Sequence, residues 1–353
     1  MIRALLLPLL VVLLAACTRP TAERHDTQLV FGTLVDMTVY GVDEATAQRA
    51  FTQLREDFRL MHFMWHPWKP GPLGRTNELL ALQAPFSANP SILPLIEKSL
   101  PLSQASDHLF NPAIGKLLDL WGFHSDEPPQ GPPPDPAAIT ALVAAEPKLE
   151  DIEIRGVVMR GTNPAVKLDF GAMAKGLAID RGIEALRALG VKNAVINAGG
   201  DLKVIGHHGD RPWRVGIRAP RGEGVLAVLD VHNGEAVFTS GDYERYFVWA
   251  GKRYHHILDP RTGYPAEGTR SVTVIHPDAA TADAAATALF VAGPSLWPKI
   301  ARQMGLDQVL LIDAEGVHHV TPKMQARLKY AREPQRQHVV DPTETDTPKP
   351  SRS

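Results

Sequence analysis

The segment Asp-Phe-Gly-Ala-Met-Ala-Lys-Gly at residues 169–176 combines a carboxylate and a lysine with four small residues. It follows a predicted strand over residues 165–169 and leads into a predicted helix over residues 172–189. Gly171 permits the turn between them, because glycine adopts backbone conformations that other residues avoid. The unpaired N–H groups at a helix start attract anions. The segment therefore predicts a strand-to-helix turn suited to an anionic group.

A purely structural interpretation of this turn is also open. Asp169 would then only cap the helix, and Lys175 would be a solvated side chain. A protein-kinase site and a P-loop are excluded, because the motifs that must accompany each of them are missing. The chemistry of the residues alone does not decide between an anion site and a plain turn.

The composition is that of a globular protein with a sizeable core. The chain has 353 residues, of which 44% are hydrophobic and 22% are charged. Its net charge of −2 gives no basic surface, so we expect no nucleic-acid partner. A single cysteine excludes an internal disulfide and a cysteine-based zinc site.

The N-terminus predicts export and lipidation. Arg3 precedes an apolar run over residues 4–16, which is too short to span a bilayer but suits a signal peptide. The run ends in Leu-Ala-Ala before Cys17, which looks like a bacterial lipobox. We therefore expect a signal peptide at 1–16, lipidation of Cys17 and a polar tether at 17–28. The lipid would anchor the protein on the periplasmic side of a membrane, with the inner membrane favoured over the outer. The alternative is a secretory signal with an incidental cysteine.

Strand and helix patterns predict a single α+β domain over residues 29–326, with mixed and antiparallel sheets and packed helices. We expect a strand at 28–41, a helix at 43–65 and a loop at 64–74. Further helices are predicted around 90–106 and 112–120, and the second half is predicted as strands with helices at 172–189 and 281–292. Residues 327–353 have little apolar content and are predicted to be a disordered tail.

The helix predicted at 281–292 contains the best metal candidates. Asp283 and Thr287 are four residues apart, so both oxygen donors share one helix face. Such hard donors suit Mg²⁺, which commonly binds one or two protein oxygens together with a phosphate. The alternative is that Asp283 caps an alanine-rich core helix.

Two other motifs contain candidate polar residues. His256 leads into a turn with an early proline and a late glycine, and histidine suits a general base, although a lone histidine is more often structural. Asn-Ala-Gly-Gly-Asp at 197–201 is explained by a tight strand–turn–strand, and we do not predict a catalytic role for Asp201.

These segments resemble the FAD:protein FMN transferases, the ApbE family of flavin transferases, from about Phe31 to Ala326. The resemblance implies an ApbE-like domain and Mg²⁺-dependent transfer of FMN from FAD to a Thr or Ser hydroxyl of a partner protein, with release of AMP. It suggests acceptors such as subunits of the sodium-pumping NADH:quinone oxidoreductase or the Rnf complex. A FAD pyrophosphatase and a non-catalytic flavin-binding lipoprotein are the alternatives.

The resemblance also implies roles for particular residues. His256 would be the base on the acceptor hydroxyl, and the metal would be held by Asp283, Thr287 and the Ala172 carbonyl. Ser240 and Asp242 would lie beside the flavin site. The implied cofactor contacts are Phe31, Trp65, Trp68, Leu109, Phe110, Asn111, Asp169, Lys175 and Ile257.

The chain departs from the family pattern at two of these places and leaves the choice open at a third. Phe-Asn-Pro-Ala at 110–113 stands where the family has Phe-Asp-Pro-Thr, so contacts at 109–111 would rely on the backbone. Phe31 replaces the methionine of a Met-Gly-Thr motif. The stacking aromatic falls within Trp-His-Pro-Trp at 65–68, and spacing does not choose between Trp65 and Trp68.

Overall fold

The computed structural model describes residues 23–344. The predicted signal peptide, Cys17 and the last part of the predicted tail lie outside the described residues. The strands are β1 (Glu23–Val30), β2 (Thr33–Tyr40), β3 (Phe86–Ser87), β4 (Ile152–Arg155), β5 (Val158–Gly161), β6 (Ala194–Ala198), β7 (Asp201–Ile205), β8 (Trp213–Arg218), β9 (Val225–Val231), β10 (Ala236–Gly241), β11 (Tyr246–Trp249), β12 (Lys252–His255), β13 (Thr269–His276), β14 (Val309–Asp313), β15 (His318–Val320), β16 (Lys329–Tyr330) and β17 (Gln337–Val339). The helices are α1 (Glu44–Trp65), α2 (Pro72–Ala81), α3 (Leu93–Ala105), α4 (Gly115–Leu120), α5 (Pro136–Ala144), α6 (Ala174–Ala188), α7 (Ala279–Gln303) and α8 (Pro322–Gln325), with a 3-10 turn at Leu149–Asp151.

The largest sheet runs in the order β1-β2-β6-β7-β10-β13-β14-β15-β17. Its neighbouring strands are antiparallel except for the parallel pair β15 and β17. Two three-stranded sheets, β16-β9-β8 and β3-β5-β4, and the hairpin β11-β12 complete the described strands. The predicted α+β class is confirmed.

Helices α1, α6 and α7 cover one face of the large sheet and form the main core with it. A second core lies between the central strands and the sheet of β8 and β9. A third, smaller core joins α4 and α5 to the β11-β12 hairpin. The sheet and the helices above it therefore provide a rigid support at the start of α6 and α7.

The helices predicted at 43–65 and 281–292 form where the sequence places them, as α1 and α7. At the start of α1, the Asp43 side chain accepts a hydrogen bond from the Thr46 N–H at 2.7 Å. Asp278 caps α7 in the same way, accepting from the Thr281 N–H at 2.7 Å. Helix α7 continues beyond the predicted end at residue 292, with a kink at Gly293, where φ is +67°.

The predicted single strand at 28–41 is wrong, because the chain turns back on itself. Phe31 and Gly32 have φ values of +56° and +74° and connect β1 to β2. The polar and apolar alternation continues on both sides of this two-residue turn, so the pattern alone does not reveal it. Strand β1 begins at Glu23, so the predicted tether at 17–28 is also wrong from residue 23 onward.

The predicted disorder is wrong over residues 327–344. Lys329–Tyr330 pairs with β9 and Gln337–Val339 pairs with β15. The Arg327 guanidinium donates to the Glu235 carboxylate at 2.7 Å. Backbone hydrogen bonds and ion pairs attach the segment to existing sheet edges, and its few apolar residues, Leu328 and Val340, pack against the cores.

Other predicted segments differ more locally. Helix α2 begins inside the predicted loop at 64–74, with Pro72 at its first position, where proline is favoured. Residues 165–169, predicted as a strand, contribute only an isolated bridge between Lys167 and Ile114. Among residues 23–344, no helix combines the length and apolar character needed to cross a membrane.

Candidate active site

The candidate site is built on a very close approach of α6 to the start of α7. A Cβ atom on Gly176 would lie 2.3 Å from the Ala279 carbonyl oxygen, so only glycine fits. The Gly176 N–H donates to Asp283 Oδ2 at 3.0 Å. Gly176 is the third residue of α6, where a helix N–H has no acceptor within the helix, so Asp283 supplies the acceptor that is missing there.

Three charged side chains meet at this junction. The Lys175 ammonium contacts the Asp201 carboxylate and lies 3.8 Å from Asp283 Oδ1. Asp201 is itself fixed, since its Oδ1 accepts from the Thr239 N–H at 2.9 Å. We refer to Lys175, Asp201 and Asp283 as the Lys–Asp–Asp cluster. Asp201 was not predicted as a site residue. Its position directly after two glycines, at the start of a strand, is the sequence feature that could have indicated it.

The ionisation of the cluster follows from its burial. Asp283 is only 4% exposed, and burial raises its pKa to about 6 in spite of the nearby Lys175. Burial by itself would lower the pKa of Lys175, but Asp201 and Asp283 outweigh this and raise that pKa above its ordinary value. Lys175 is therefore charged at all ordinary pH values. A further positive charge beside Asp283 would stabilise the ionised form of its carboxylate.

Thr287 lies one helical turn after Asp283, and its Oγ1 is 3.3 Å from Ser240 Oγ of β10. Asp283, Thr287 and the Ala172 carbonyl are all oxygen donors, which is the chemistry that Mg²⁺ prefers. Within residues 23–344 there is no group of three or more His, Cys, Asp or Glu side chains placed to hold a metal. One carboxylate with two neutral oxygens still fits Mg²⁺, because phosphate and water complete its shell.

A row of aromatic rings runs beside the turn at Phe31. Ring centroids are 5.8 Å apart between Phe31 and His62, 5.1 Å between His62 and His66, and 4.4 Å between His66 and Trp68. Trp68 then stacks on His124 at 5.2 Å, with an interplanar angle of 21°. We call these five residues the aromatic row.

The structure distinguishes the two candidate tryptophans. Trp65 is buried at the end of α1, and its indole N–H donates to the Ser91 carbonyl at 3.2 Å. Trp68 is only half-buried, and the Arg245 guanidinium lies 5.9 Å from its ring centroid. Trp68 is therefore accessible to a planar ligand, whereas Trp65 belongs to the core.

Asp169 shapes the turn before α6 without capping the helix. Its Oδ1 accepts from the Gly171 N–H at 2.7 Å, and its Oδ2 is 2.7 Å from His124 Nε2. The residue that precedes α6 as its N-cap is Met173. Burial opposes ionisation of Asp169, but the hydrogen bond and charge of His124 outweigh it and hold the pKa below its ordinary value. His124 was missed in the sequence, where nothing marks it.

His256 follows directly after β12 and has a defined tautomer. Its Nδ1 lies 3.2 Å from the Arg245 carbonyl oxygen, which can only accept, so Nδ1 carries the proton. Burial and the Arg245 charge lower the pKa of His256 to about 3, and Lys175 acts in the same direction. Nε2 is thus unprotonated near neutral pH, and the ring lies within electrostatic range of the Lys–Asp–Asp cluster.

The side chains of the other predicted cofactor contacts serve mainly to hold the fold together. Leu109 and Phe110 are buried in the main core. Asn111 donates from Nδ2 to the Pro147 carbonyl at 2.8 Å and accepts from the Ala113 N–H at 2.9 Å. An aspartate could not make the first of these bonds, which accounts for asparagine at this position. The Ile257 side chain is buried as well.

Asp242 forms ion pairs with two arginines. Its Oδ1 accepts from Arg221 Nη1 at 2.7 Å, and Arg253 lies 3.8 Å from the same oxygen. Ser240 remains beside the site through its contact with Thr287. Of the two residues that the resemblance places beside the flavin, only Ser240 therefore touches a candidate ligand of the metal.

The chain belongs to the ApbE family, whose family model matches residues 31–310. It is 46% identical over 312 residues to a FAD:protein FMN transferase of Rhodobacter capsulatus, an alignment that covers 88% of this chain and 60% of that protein. A protein of the same name from Klebsiella pneumoniae (strain 342) is 34% identical over 270 residues, covering 75% of this chain and 81% of its own length.

Solved structures agree with the sequence relatives. The ApbE protein of Thermotoga maritima superposes with a TM-score of 0.79 at 30% identity, covering 88% of this chain and 100% of its own. The apo flavinyl transferase ApbE of Pseudomonas stutzeri gives a TM-score of 0.76 at 28% identity, covering 87% of this chain and 97% of its own. The predicted family and fold are confirmed.

Proposed function

We propose that this protein transfers FMN from FAD to a Thr or Ser hydroxyl of a partner protein and releases AMP. The observation that carries the proposal is the Lys–Asp–Asp cluster at the glycine contact between α6 and α7. It combines a partly buried cation with a buried acidic oxygen ligand. The turn before α6 connects it through Asp169 and His124 to the half-buried Trp68. The names of the relatives, FAD:protein FMN transferase, support the same activity.

The chain's own residues would divide the work of binding the pyrophosphate. Asp283, Thr287 and the Ala172 carbonyl would hold Mg²⁺, which when bound supplies positive charge that neutralises the pyrophosphate and polarises the phosphorus. Lys175 would offset the remaining phosphate charge, and Asp201 keeps its ammonium in place. These groups are fixed before the substrate binds, so little reorganisation is needed during reaction.

His256 would accept the proton of the attacking hydroxyl at Nε2. The hydroxyl oxygen forms a bond to the FMN-side phosphorus, the bond from that phosphorus to the bridging oxygen breaks, and AMP leaves with that oxygen. The Nδ1 hydrogen bond to the Arg245 carbonyl holds the ring in the required tautomer. The negative charge of a bound pyrophosphate would raise the low pKa of His256 toward the range of an effective base.

The flavin and the turn residues would complete the site. The isoalloxazine ring would stack on Trp68, which is joined through His66 and His62 to Phe31 at the far end of the aromatic row. Asp169 retains free lone pairs on both oxygens and would accept a hydrogen bond from the cofactor. Residues 109–111 and Ile257 would contribute through their backbone.

The proposed activity is tested by incubating the protein with FAD, Mg²⁺ and an acceptor that carries an unmodified flavinylation motif with a free Thr or Ser hydroxyl. We expect the acceptor mass to increase by one FMN less one water, and AMP to appear in equal amount. Release of AMP and free FMN at the same rate without acceptor would identify a pyrophosphatase instead. FAD binding without either product would leave only a flavin-binding protein.

Trp68→Leu should weaken FAD binding by roughly tenfold, because it removes an aromatic face worth about 0.5–1.5 kcal/mol beyond buried area. Trp65→Phe is the matched control, since it changes a tryptophan that lies in the core. Titration of FAD fluorescence measures both variants. If both variants are folded and Trp65→Phe loses more affinity for FAD than Trp68→Leu, then Trp65 stacks on the flavin and the assignment to Trp68 is wrong.

We also propose that Cys17 is lipidated and anchors the protein on the periplasmic side of a membrane, with the inner membrane favoured over the outer. Acceptors there would include subunits of sodium-pumping NADH:quinone oxidoreductase or Rnf-type complexes. Cys17→Ser should release the protein from membranes without loss of transfer activity. Fractionation after fatty-acid labelling checks this, and a Cys17→Ser protein that stays labelled in the membrane pellet would contradict it.

A further inference from the structure

His124 lies between two carboxylates in the segment that follows α4. Its side chain is only 3% exposed. Nδ1 is 2.6 Å from Asp119 Oδ1, and Nε2 is 2.7 Å from Asp169 Oδ2. A neutral imidazole carries one N–H, whereas ionised carboxylates can only accept. Both contacts are satisfied together when the ring is an imidazolium.

Two carboxylates and one aromatic ring contact this histidine. Asp119 also contacts the Lys167 ammonium, so charge alternates from Lys167 through Asp119 and His124 to Asp169. The indole of Trp68 stacks on the imidazole ring at 5.2 Å. We call the four charged residues Lys167, Asp119, His124 and Asp169 the charge array. It begins at the partly exposed Lys167 and ends at Asp169, in the turn before α6.

Other titratable groups face the charge array from neighbouring segments. His66 contacts Trp68, and the Arg245 guanidinium lies over the indole ring. Lys69 and Asp126 form an ion pair at 2.7 Å nearby. Arg245 is held by the carbonyls of Phe123 and Ser125, which flank His124, at 2.8 and 3.0 Å. The immediate partners of the imidazole remain the two carboxylates and Trp68.

We infer that His124 is a positioning residue for the flavin substrate: as an imidazolium clamped by Asp119, it fixes the Asp169 carboxylate and the Trp68 ring in the orientation that binds FAD. The inference rests on the proposed flavin transfer, because it assumes that Asp169 and Trp68 contact FAD. It assigns His124 no contact with the reacting phosphorus.

The ionisation of His124 gives the inference a pH signature. Burial alone would lower its pKa, but the hydrogen bonds to Asp119 and Asp169 raise the pKa above the ordinary 6.5. The charge is therefore present below the raised pKa and is lost as the pH rises through it. Once the ring is neutral, it can donate to only one of the two carboxylates. FAD affinity should then fall on the alkaline side.

The test measures FAD dissociation constants by fluorescence from pH 5.5 to 9, without acceptor. His124→Phe keeps a ring against Trp68 but removes both N–H groups, and we expect its FAD binding to weaken by about 10- to 100-fold. His124→Gln retains one donor and should lose less. Asp119→Asn should weaken binding in the same direction, and the exposed His232→Gln is the unchanged control.

The pH dependence separates positioning from a general structural role. Wild-type affinity should show the alkaline decrease, and His124→Phe should lack it at every pH where circular dichroism shows a folded protein. Combining His124→Phe with Asp169→Asn should cost less than the sum of the single changes, because one interaction is removed in both. In transfer assays the KM for FAD should rise while kcat changes little.

Separate outcomes decide the two proposals. If wild type flavinylates its acceptor and His124→Phe and Asp119→Asn bind FAD with unchanged affinity and pH dependence, the positioning role is wrong and the transferase function stands. A fall in kcat without a change in FAD affinity would also overturn it. Failure of wild type to bind FAD would overturn both.

Discussion

Asp283→Ala should abolish flavin transfer at limiting Mg²⁺, with a loss of at least about 10²-fold, the range seen when one electrostatic group is removed from an active site. The substitution deletes the only carboxylate among the three proposed metal ligands. It also leaves the buried Gly176 N–H without its acceptor, which costs roughly 1–3 kcal/mol of stability. Alanine itself favours the helix, so the fold should persist.

Asp283→Asn separates the two effects of this change. Its amide oxygen can still accept from the Gly176 N–H, while its negative charge is gone. We expect nearly the stability of wild type and little recovery of transfer, except for partial rescue at high Mg²⁺. Acceptor flavinylation and AMP release are measured together, with thermal unfolding as the folding control. Normal flavinylation by folded Asp283→Ala at limiting Mg²⁺ would reduce Asp283 to a structural residue.

His256→Gln should lower kcat for transfer by about 10²- to 10⁴-fold, the usual contribution of a general base. FAD affinity should change little, because the proposed cofactor contacts are made by other side chains and, at the neighbouring Ile257, by the backbone, which the substitution leaves in place. Single-turnover transfer and equilibrium FAD titration distinguish the two quantities. His232→Gln, in an exposed turn, provides a control for loss of a histidine.

A different pattern in His256→Gln would point to another base. If transfer persists at the wild-type rate while FAD binding weakens, His256 positions the cofactor and does not accept the proton. The same assay run without acceptor reports hydrolysis. A variant that loses both transfer and hydrolysis in proportion would indicate that one base serves water and the acceptor hydroxyl alike.

The parts of the site that sequence predicted are those set by local spacing. Asp283 and Thr287 lie on one helix, so their common face follows from the helical repeat. The turn from Asp169 into α6 likewise depends on adjacent residues. Asp201 and His124 were missed because their partners are distant in sequence: Asp201 reaches Lys175 from a strand start, and His124 meets Asp169 only when the segment after α4 packs beside it.

The same distinction explains the errors in the fold. The alternating pattern at 28–41 predicted strand conformation correctly but could not show the turn at Phe31 and Gly32. The residues after 326 lack an apolar pattern, and their order comes from pairing with β9 and β15. A segment that completes an existing edge needs little hydrophobicity of its own.

The bond from the Gly176 N–H to Asp283 gives the protein an internal spectroscopic probe. An amide proton held against a carboxylate changes its chemical shift when the charge on that carboxylate is shared with a cation. Glycine nitrogens resonate apart from most others, so this single signal could be followed directly in ¹⁵N-labelled protein. Occupancy of the proposed metal site could thus be read from the backbone, without substrate, turnover or any substitution.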